Sequence, residues 1–152
     1  MKITIRIAVR EDVSVIADLL SMLMTHHGES PPPRPRLEQA VQSIIASPGS
    51  WYLVAEGNDG IMGILQVSER FSSWAGATYG VIEDVCVRQA WRSHGVGGKL
   101  IAEVQTWMHD KGWARLDLDV LEDNHRARAF YEQNGFHDTG YRVYRVDAQA
   151  NG

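Results

Sequence analysis

The spacing of apolar residues changes within the first dozen positions of the chain. Residues 2–8 alternate isoleucine with charged or polar residues, and this two-residue period predicts a half-buried strand. Over residues 11–24 the apolar positions recur every three or four residues, which predicts an amphipathic helix. A second helix is predicted over residues 37–45, because the prolines of segment 30–35 lack the N–H donor that a helix interior needs.

From residue 51 onward the pattern predicts strands and then two strand–helix units. Segments 51–56 and 61–67 flank Gly57-Asn58-Asp59-Gly60, which is typical of a hairpin turn. The elements predicted after this hairpin are a strand over 78–87, a helix over 97–111, a strand over 115–121, a helix over 125–133 and short strands around 136–139 and 141–146. This order predicts a single mixed α/β domain over residues 1–152, with one sheet and helices on both of its faces.

The composition is that of an ordinary folded domain. Hydrophobic residues make up 44% and charged residues 22% of the 152 residues, which excludes disorder of the whole chain. The single cysteine, Cys86, rules out an internal disulfide and favours a reducing compartment, so we expect a cytoplasmic protein. No apolar run approaches the ~18 residues that a membrane span needs, and the first residues lack the apolar segment of a signal peptide.

The charge balance restricts the partners of the protein. The 15 Lys and Arg residues against 19 Asp and Glu residues give a net charge of −4. Nucleic acid is not an expected partner, because sequence-independent binding to it depends on clustered basic residues that neutralise phosphates. A polyanionic ligand would need positive charge supplied locally.

Such local charge lies between the predicted strand 78–87 and the helix that follows it. Glycines there let the backbone turn with its N–H groups pointing one way, and a helix N-terminus adds about half a positive charge. The segment is therefore a candidate anion site. Its residues are Arg92, Ser93, His94, Gly95, Val96, Gly97, Gly98 and Lys99.

The residues of this segment alone leave more than one interpretation open. A P-loop is disfavoured because Leu100 follows Lys99 where Ser or Thr belongs, and Ser93 stands where that motif has its first glycine. A dinucleotide-binding fingerprint lacks its third glycine at position 100, although Asp117 and Asp119 lie near the distance at which that motif has an acidic residue. A strand-to-helix turn that uses glycine only for its geometry is a further alternative.

Three motifs together resemble the GNAT superfamily of N-acetyltransferases. Arg92-x-x-Gly95-x-Gly97 is similar to its pyrophosphate loop, (Q/R)-x-x-G-x-(G/A), and segment 82–87 is similar to its fourth strand. The run Asn124-x-x-Ala127-x-x-x-Tyr131-x-x-x-Gly135-Phe136 is similar to the second signature of the superfamily. Their order and separation are specific, and segment 83–131 most resembles the spermidine/spermine and small-amine acetyltransferase branch.

The resemblance implies a mostly antiparallel central sheet with splayed fourth and fifth strands, and acetyl-CoA bound between these two strands without a metal. The pantetheine arm would pair with backbone groups of Val85, Cys86 and Val87, and the pyrophosphate would lie on the amides of Ser93 through Gly98. Ser93 stands where the family commonly has glycine, and it costs little if its φ is negative. The residues that would contact or border the pantetheine arm are Asn124, Ala127 and Phe130.

Acetyl transfer from a thioester to an amine needs a base for the amine proton, a donor for the oxyanion and an acid for the leaving thiolate. The resemblance implies that Tyr131 is the acid, that a backbone N–H near Val87 is the oxyanion donor and that Glu83 is the base, directly or through water. The alternatives are that Tyr131 fills the core and that Glu83 is bonded to a neighbouring Arg or turn. Strand alternation places Glu83 and Asp84 on opposite faces, so only one of these carboxylates is expected to face the cleft.

Other polar and aromatic residues have two interpretations each. The acidic residues 117, 119, 122 and 123 would attract a cationic amine or form a solvated surface. Trp51, Tyr52, Trp74 and Trp91 would line an acceptor pocket or belong to the core. Cys86 is expected to be a small hydrophobic residue rather than a nucleophile, and the histidines show no metal-ligand spacing.

The sequence therefore predicts an acetyl-CoA-dependent N-acetyltransferase that transfers the acetyl group directly to a primary amine of a small molecule, such as a polyamine, an amino acid or an amine antibiotic. The alternatives are a non-catalytic acyl-CoA-binding or sensing module on the same fold, a protein N-terminal or lysine acetyltransferase, and a nucleotide-binding α/β domain. Dimers are common in the family, so a homodimer is a further expectation.

Overall fold

A computed structural model describes residues 2–148. Two short 3₁₀ turns, Arg10–Asp12 and Gln89–Trp91, precede helices of the chain. The strands and helices, in chain order, are β1 (Thr4–Ile7), α1 (Val13–His26), α2 (Arg34–Ala46), β2 (Ser50–Gly57), β3 (Gly60–Ser72), β4 (Ala77–Val87), α3 (Val96–Asp110), β5 (Leu116–Leu118) and α4 (His125–Gln133).

The strands form one sheet in the order β1-β2-β3-β4-β5. The first three pairs of neighbours are antiparallel, and β4 with β5 is parallel. The predicted mixed, mostly antiparallel sheet is therefore confirmed. The predicted hairpin at residues 57–60 is also present and joins β2 to β3.

A β-bulge interrupts the long pairing between β3 and β4. Two residues of β4, Glu83 and Asp84, lie opposite the single residue Gln66 of β3. The parallel pairing of β4 with β5 reaches only to Ile82, which lies opposite Leu118. Beyond the bulge, β4 therefore has a strand neighbour on one side only in the described part of the chain, because β5 ends at Leu118. The splay of the fourth and fifth strands stays a prediction.

Helices cover both faces of the sheet. The face that carries Tyr52, Val54, Ile64 and Cys86 packs against buried residues of α1 and α2 in one apolar cluster. The opposite face packs against α3, and a Cβ added to Gly63 of β3 would lie 3.1 Å from the side chain of Val96. The predicted arrangement of helices on both sides of one sheet is thus confirmed.

An ion-pair cluster joins the first strand to the start of α1. The Arg6 guanidinium donates to both carboxylate oxygens of Asp12, at 2.7 and 3.0 Å, and to Glu56 at 3.1 Å. Asp12 also accepts from the Val9 N–H at 2.8 Å, and its side chain is buried. The hydrogen bonds from Arg6 hold the pKa of Asp12 below its usual value.

The described residues fall into two compact units, the first ending at Leu118 and the second beginning at Asp119. The second unit contains α4 and the residues after it. The single domain over residues 1–152 stays a prediction.

The sequence pattern overestimates the strands at the end of the chain. The strand predicted over 115–121 is only Leu116–Leu118, and the segments 136–139 and 141–146 contain no strand. Alternating residues form a strand only where a neighbouring strand completes the hydrogen bonds, and a local pattern does not reveal that neighbour. The apolar residues of this segment are accordingly exposed, as for Tyr141, Val143, Tyr144 and Val146.

Candidate active site

The predicted anion-binding segment forms the entry to α3. The helix begins at Val96, one residue earlier than predicted, and Gly95 precedes it with a φ of 79°. No side chain of residues 2–148 caps this N-terminus. The N–H groups of Val96, Gly97 and Gly98 therefore have no partner within the helix, and they lie at the positive end of the helix dipole.

Ser93 has a φ of 65°, in the left-handed region. It is the one non-glycine residue with positive φ among those the structure describes. The expectation that serine costs little at this position required a negative φ and is therefore wrong. A side chain in this region costs about 1–2 kcal/mol, so backbone strain lies next to the candidate anion site.

The side chains of the loop fold back on its own backbone. Arg92 donates from Nε to the carbonyl oxygen of Val87 at 3.3 Å, and the Nδ1 of His94 lies 2.9 Å from the carbonyl oxygen of Arg92. The ring of His94 also packs edge-on against Trp91. Arg92, His94 and Lys99 are all exposed, so their side chains are accessible to a ligand at the helix N-terminus.

A cavity of about 580 Å³ adjoins this loop. Cys86 and Arg92, two residues of the predicted cofactor site, both line it, together with Gln89. The other side of the cavity consists of residues near the end of α1, namely Ser21, Met22, Leu23, Thr25 and His26. The cavity therefore joins the end of β4 to the charged loop within the first unit.

Cys86 is a buried thiol. Its Sγ donates to the carbonyl oxygen of Leu19 at 3.5 Å, and burial raises the pKa of the thiol. A raised pKa keeps the sulfur protonated, whereas a nucleophilic cysteine needs its thiolate. The environment of Cys86 is thus that of a small hydrophobic residue.

The pairing of β4 determines which backbone groups its open edge presents. The N–H of Arg88 donates to the carbonyl oxygen of Met62 at 2.8 Å. Because hydrogen-bonded and non-bonded pairs alternate along an antiparallel ladder, the backbone of Cys86 faces β3 as well. The backbone groups of Val85 and Val87 face the opposite side, where β4 has no strand neighbour beyond Ile82 in the described residues. Of the three residues expected to pair with the pantetheine arm, Cys86 therefore does not present its backbone groups to this open edge.

The bulge also decides the orientation of the two carboxylates. Ile82 is paired with Val67 and Val85 with Leu65, and these two residues of β3 point to one face of the sheet. Glu83 and Asp84, which lie between them, therefore both point to the other face, that of Gln66. The expectation that the two carboxylates lie on opposite faces is therefore wrong, because the extra residue interrupts the alternation.

The two carboxylates have different environments. Glu83 is exposed and lies 3.6 Å from the guanidinium of Arg70. Asp84 is partly buried, and burial, followed by the charge of Glu83, raises its pKa. Both charges also act on Tyr52, whose phenol pKa is raised mainly by burial. Gln66, Arg70 and Gln89 are site residues that no sequence motif indicates, because only the packing of strands and helices brings them to this place.

The second unit holds the other predicted site residues. Asn124 caps α4 by accepting the N–H of Ala127 at 3.1 Å. Tyr131 is half-buried, and its ring contacts Phe130 and Phe136 edge-on, with ring centroids 5.2 and 5.8 Å apart. Asn124, Ala127 and Tyr131 follow one another at spacings of three and four residues, which places them along one side of the helix.

The predicted acidic cluster is divided between the units. Asp117 of β5 pairs with Arg115 at 3.1 Å in the first unit. Asp119, Glu122 and Asp123 are exposed in the second unit. Among residues 2–148, no group of His, Cys, Asp and Glu side chains has an arrangement that would hold a metal ion. None of the helices described is long and apolar enough to cross a membrane.

Comparison with known proteins identifies relatives of this chain. The model of the acetyltransferase (GNAT) family matches residues 16–136. An uncharacterized N-acetyltransferase of Bacillus subtilis is 32% identical over 99 residues, which are 64% of this chain and 66% of that protein. The aminoglycoside N(6′)-acetyltransferase type 1 of Stenotrophomonas maltophilia is 30% identical over 71% of this chain and 72% of its own length. The thialysine N-epsilon-acetyltransferase of Bos taurus is 33% identical over 53% of this chain, and the match spans about half of that relative, 49%.

Solved structures share the fold. A possible acetyltransferase from Clostridium difficile 630 superposes with a TM-score of 0.89 at 21% identity, over 99% of this chain and 100% of that one. The aminoglycoside N-acetyltransferase AAC(6′)-Iy in complex with CoA superposes with a TM-score of 0.81 at 20% identity, over 96% of this chain and 95% of that one.

Proposed function

Since the chain belongs to the GNAT acetyltransferase family, we propose that it transfers the acetyl group of acetyl-CoA directly to a primary amine of a small molecule, in a ternary complex. One observation carries this proposal: the open edge of β4 beyond the bulge leads within a few residues to the uncapped N-terminus of α3. An extended arm with a pyrophosphate at its end matches this pair of features, because the edge offers backbone hydrogen bonds and the helix offers amides to an anion.

The residues of the first unit would hold acetyl-CoA in the following way. The pantetheine arm pairs with backbone groups of Val85 and Val87, and the side chain of Cys86 borders the adjoining cavity. The pyrophosphate lies on the amides of Ser93 through Gly98, with positive charge from Arg92 and Lys99. The relative that was solved in complex with CoA supports this cosubstrate.

The residues proposed for the second unit are those of its signature motif. Asn124 contacts the pantetheine amide, and Ala127 and Phe130 border the arm. Tyr131 gives a proton to the CoA sulfur when the C–S bond breaks. The Val87 N–H, which faces away from β3, donates to the oxyanion.

The ammonium group must lose one proton before its nitrogen can form the C–N bond. An alkylammonium group has a pKa of about 10.4, so most of it is charged at neutral pH. Glu83 accepts a proton, directly or through water, and the nitrogen lone pair then attacks the acetyl carbonyl carbon. The second N–H proton leaves as the amide forms, and the sulfur is protonated by Tyr131, so that one proton is released overall.

The acceptor is proposed to be a cationic small molecule. The carboxylates of Glu83 and Asp84 lie on one side of the sheet and attract positive charge. Two relatives are named for acceptors that carry amines, an aminoglycoside and thialysine. A cytoplasmic location, favoured by the single cysteine, and a homodimer, favoured by analogy alone, complete the proposal.

Release of the CoA thiol tests this function. The protein is incubated with acetyl-CoA and with amines grouped by charge, namely diamines, amino acids, aminoglycosides and a peptide with a free N-terminus. We expect thiol release above the rate without amine for at least one cationic small molecule. Binding of CoA without turnover of any amine would contradict the proposed function and favour a non-catalytic binding module. Turnover of the peptide alone would favour a protein acetyltransferase.

Substitution of Tyr131 tests its role separately. Tyr131→Phe keeps the ring contacts with Phe130 and Phe136 and removes the hydroxyl. We expect kcat to fall by about 10²–10⁴-fold, the usual contribution of a general acid, with little change in the affinity for acetyl-CoA. An unchanged kcat would remove Tyr131 from the mechanism.

A further inference from the structure

The hydroxyl group of Tyr52 has no hydrogen-bond partner among the residues that the structure describes. The side chain belongs to the apolar cluster beneath α1 and α2 and is only 2% exposed. Its Oη makes no hydrogen bond with any residue of the described range, 2–148. No fully buried side-chain N or O atom in that range lacks a partner. The small exposed part of Tyr52 must therefore include the hydroxyl oxygen.

This hydroxyl lies on the same side of the sheet as the two carboxylates. Tyr52 of β2 is paired with Gln66 of β3, and Gln66 lies opposite the bulge of β4 that contains Glu83 and Asp84. Both carboxylates are close enough for their charges to act on the phenol. The phenol of Tyr52 on β2, the amide of Gln66 on β3 and the two carboxylates on β4 thus form a row across three neighbouring strands.

The groups around this row do not complete its hydrogen bonds. The Gln66 amide donates from Nε2 to Ser68 at 2.8 Å, and Ser68 in turn contacts Ser50 at 2.9 Å. Asp84 has neither a hydrogen bond nor an ion pair with a residue of the described part of the chain. A buried phenol and a partly buried carboxylate that make no hydrogen bond are costly unless a ligand supplies a partner.

We propose that Tyr52 is a positioning residue that binds the nitrogen of the acceptor amine together with Asp84. This inference rests on the proposed function and extends it to a residue outside the family motifs. A primary ammonium group has three N–H donors and no acceptor, so it satisfies a phenol oxygen and a carboxylate at once. After one proton has left, the two remaining N–H groups still bind Oη and Asp84, and the lone pair is directed away from them.

The test compares the steady-state kinetics of Tyr52→Phe with those of the wild type, using the most active amine of the thiol-release panel. The ring is kept and an unsatisfied hydroxyl is removed, so the melting temperature should not fall and the KM for acetyl-CoA should not change. The KM for the amine should rise about tenfold to a hundredfold, because the hydroxyl binds a charged group. Tyr141→Phe, which removes the same hydroxyl from a side chain that is 90% exposed, is the matched control and should behave as the wild type.

A double-mutant cycle tests the shared ligand. Asp84→Asn should also raise the KM for the amine, and the double variant should lose less than the product of the two single effects, because both groups bind one nitrogen. Independent effects would overturn the shared site. An unchanged KM for the amine in Tyr52→Phe, or an equal rise in the KM for acetyl-CoA, would overturn the role of Tyr52.

Binding measurements separate this inference from the proposed function. The same amines are titrated by calorimetry into the wild type and Tyr52→Phe with CoA present. If an amine binds the wild type without any thiol release, the proposed function fails, and a weaker Kd for Tyr52→Phe still supports the amine site. Equal Kd values for the two proteins, or no amine bound by the wild type, would overturn the inference.

Discussion

Two aspartates within the first unit have opposite environments, and their pKa values are shifted in opposite directions. Asp12, where β1 leads into α1, accepts two hydrogen bonds from Arg6 and one from a backbone N–H, and its pKa is lowered. Asp84, at the bulge of β4, has no hydrogen bond or ion pair with residues 2–148, and its pKa is raised by burial and by Glu83. The fold is therefore able to satisfy a buried carboxylate and does not do so at Asp84.

The difference distinguishes structural charge from charge that is kept for a ligand. A paired carboxylate stabilises the folded state, whereas a buried carboxylate without a partner destabilises it. Such groups are typical of functional sites, where a ligand supplies the partner. The bulge and the open edge of β4 lie next to Asp84, and a second irregularity of the sheet, at Ala55 and Glu56 in the pairing of β2 with β3, lies next to the paired carboxylates of the Arg6 cluster. Irregular backbone alone therefore does not distinguish the two regions, whereas irregular backbone together with an unpaired carboxylate, as at Asp84, is typical of an active site.

The largest expected effect is on catalysis in the Asp84 region. Glu83→Gln should lower kcat by about 10²–10⁴-fold, because the proposed general base is lost. The melting temperature should hardly change, since an exposed pair such as Glu83 with Arg70 is worth only about 0–1 kcal/mol. Steady-state rates and thermal unfolding of the same preparation measure both quantities.

The control for this variant comes from the Asp12 region. Glu56→Gln removes a carboxylate of similar exposure, 40% against 49% for Glu83, and should leave kcat unchanged. If both variants lost activity equally, the effect of Glu83 would reflect general charge rather than catalysis.

The next largest effect is on stability in the Asp12 region. Asp12→Asn removes the charge that pairs with Arg6 and should lower the free energy of unfolding by about 2 kcal/mol. The corresponding fall in Tm is about 4–8 °C. Because its pKa is lowered in the folded state, Asp12 contributes this stability above its unfolded pKa and loses it as the pH falls through its folded pKa. Urea unfolding at several pH values measures the difference, which must shrink in acid.

Asp84→Asn should change the free energy of unfolding in the opposite direction, by raising it. The folded state raises the pKa of Asp84, so its ionised form opposes folding at pH 7, and the asparagine variant should melt at a higher temperature. The gain in stability must shrink as the pH falls from the pKa of the folded state to that of the unfolded state. It must be absent at lower pH, where the carboxyl group is protonated in both states. A lower Tm at pH 7 would mean that Asp84 is paired after all.

The smallest effect is expected at Ser93. Ser93→Gly relieves a left-handed strain of about 1–2 kcal/mol but adds about 0.5–1 kcal/mol of chain entropy to the unfolded state. A net gain of roughly 0.5 kcal/mol should raise Tm by about 1–2 °C, with an unchanged KM for acetyl-CoA. A lower Tm would show that the serine side chain stabilises the folded state by more than its backbone strain costs.

Features that depend on a short stretch of chain were predictable from the sequence. The apolar spacing of α1 and α3 and the turn at residues 57–60 reflect local backbone preferences, and the structure places them within a few residues of their predicted bounds. The helix start that makes residues 92–99 a candidate anion site was predictable for the same reason, because glycines, basic side chains and the start of a helix lie in one segment. The motifs around Arg92 and Asn124 likewise indicated the family.

Features that depend on two segments were not predictable. Nothing in residues 82–87 indicates that Glu83 and Asp84 lie opposite a single residue of β3, so alternation gave the wrong face for one of them. Tyr52 is one aromatic residue among several until β2 and β3 bring it next to the bulge. The last predicted strands failed because no neighbouring strand pairs with them in the described range. Periodicity is a property of one segment, whereas pairing, burial and unsatisfied charge arise only between segments, and the details of this site belong to the second kind.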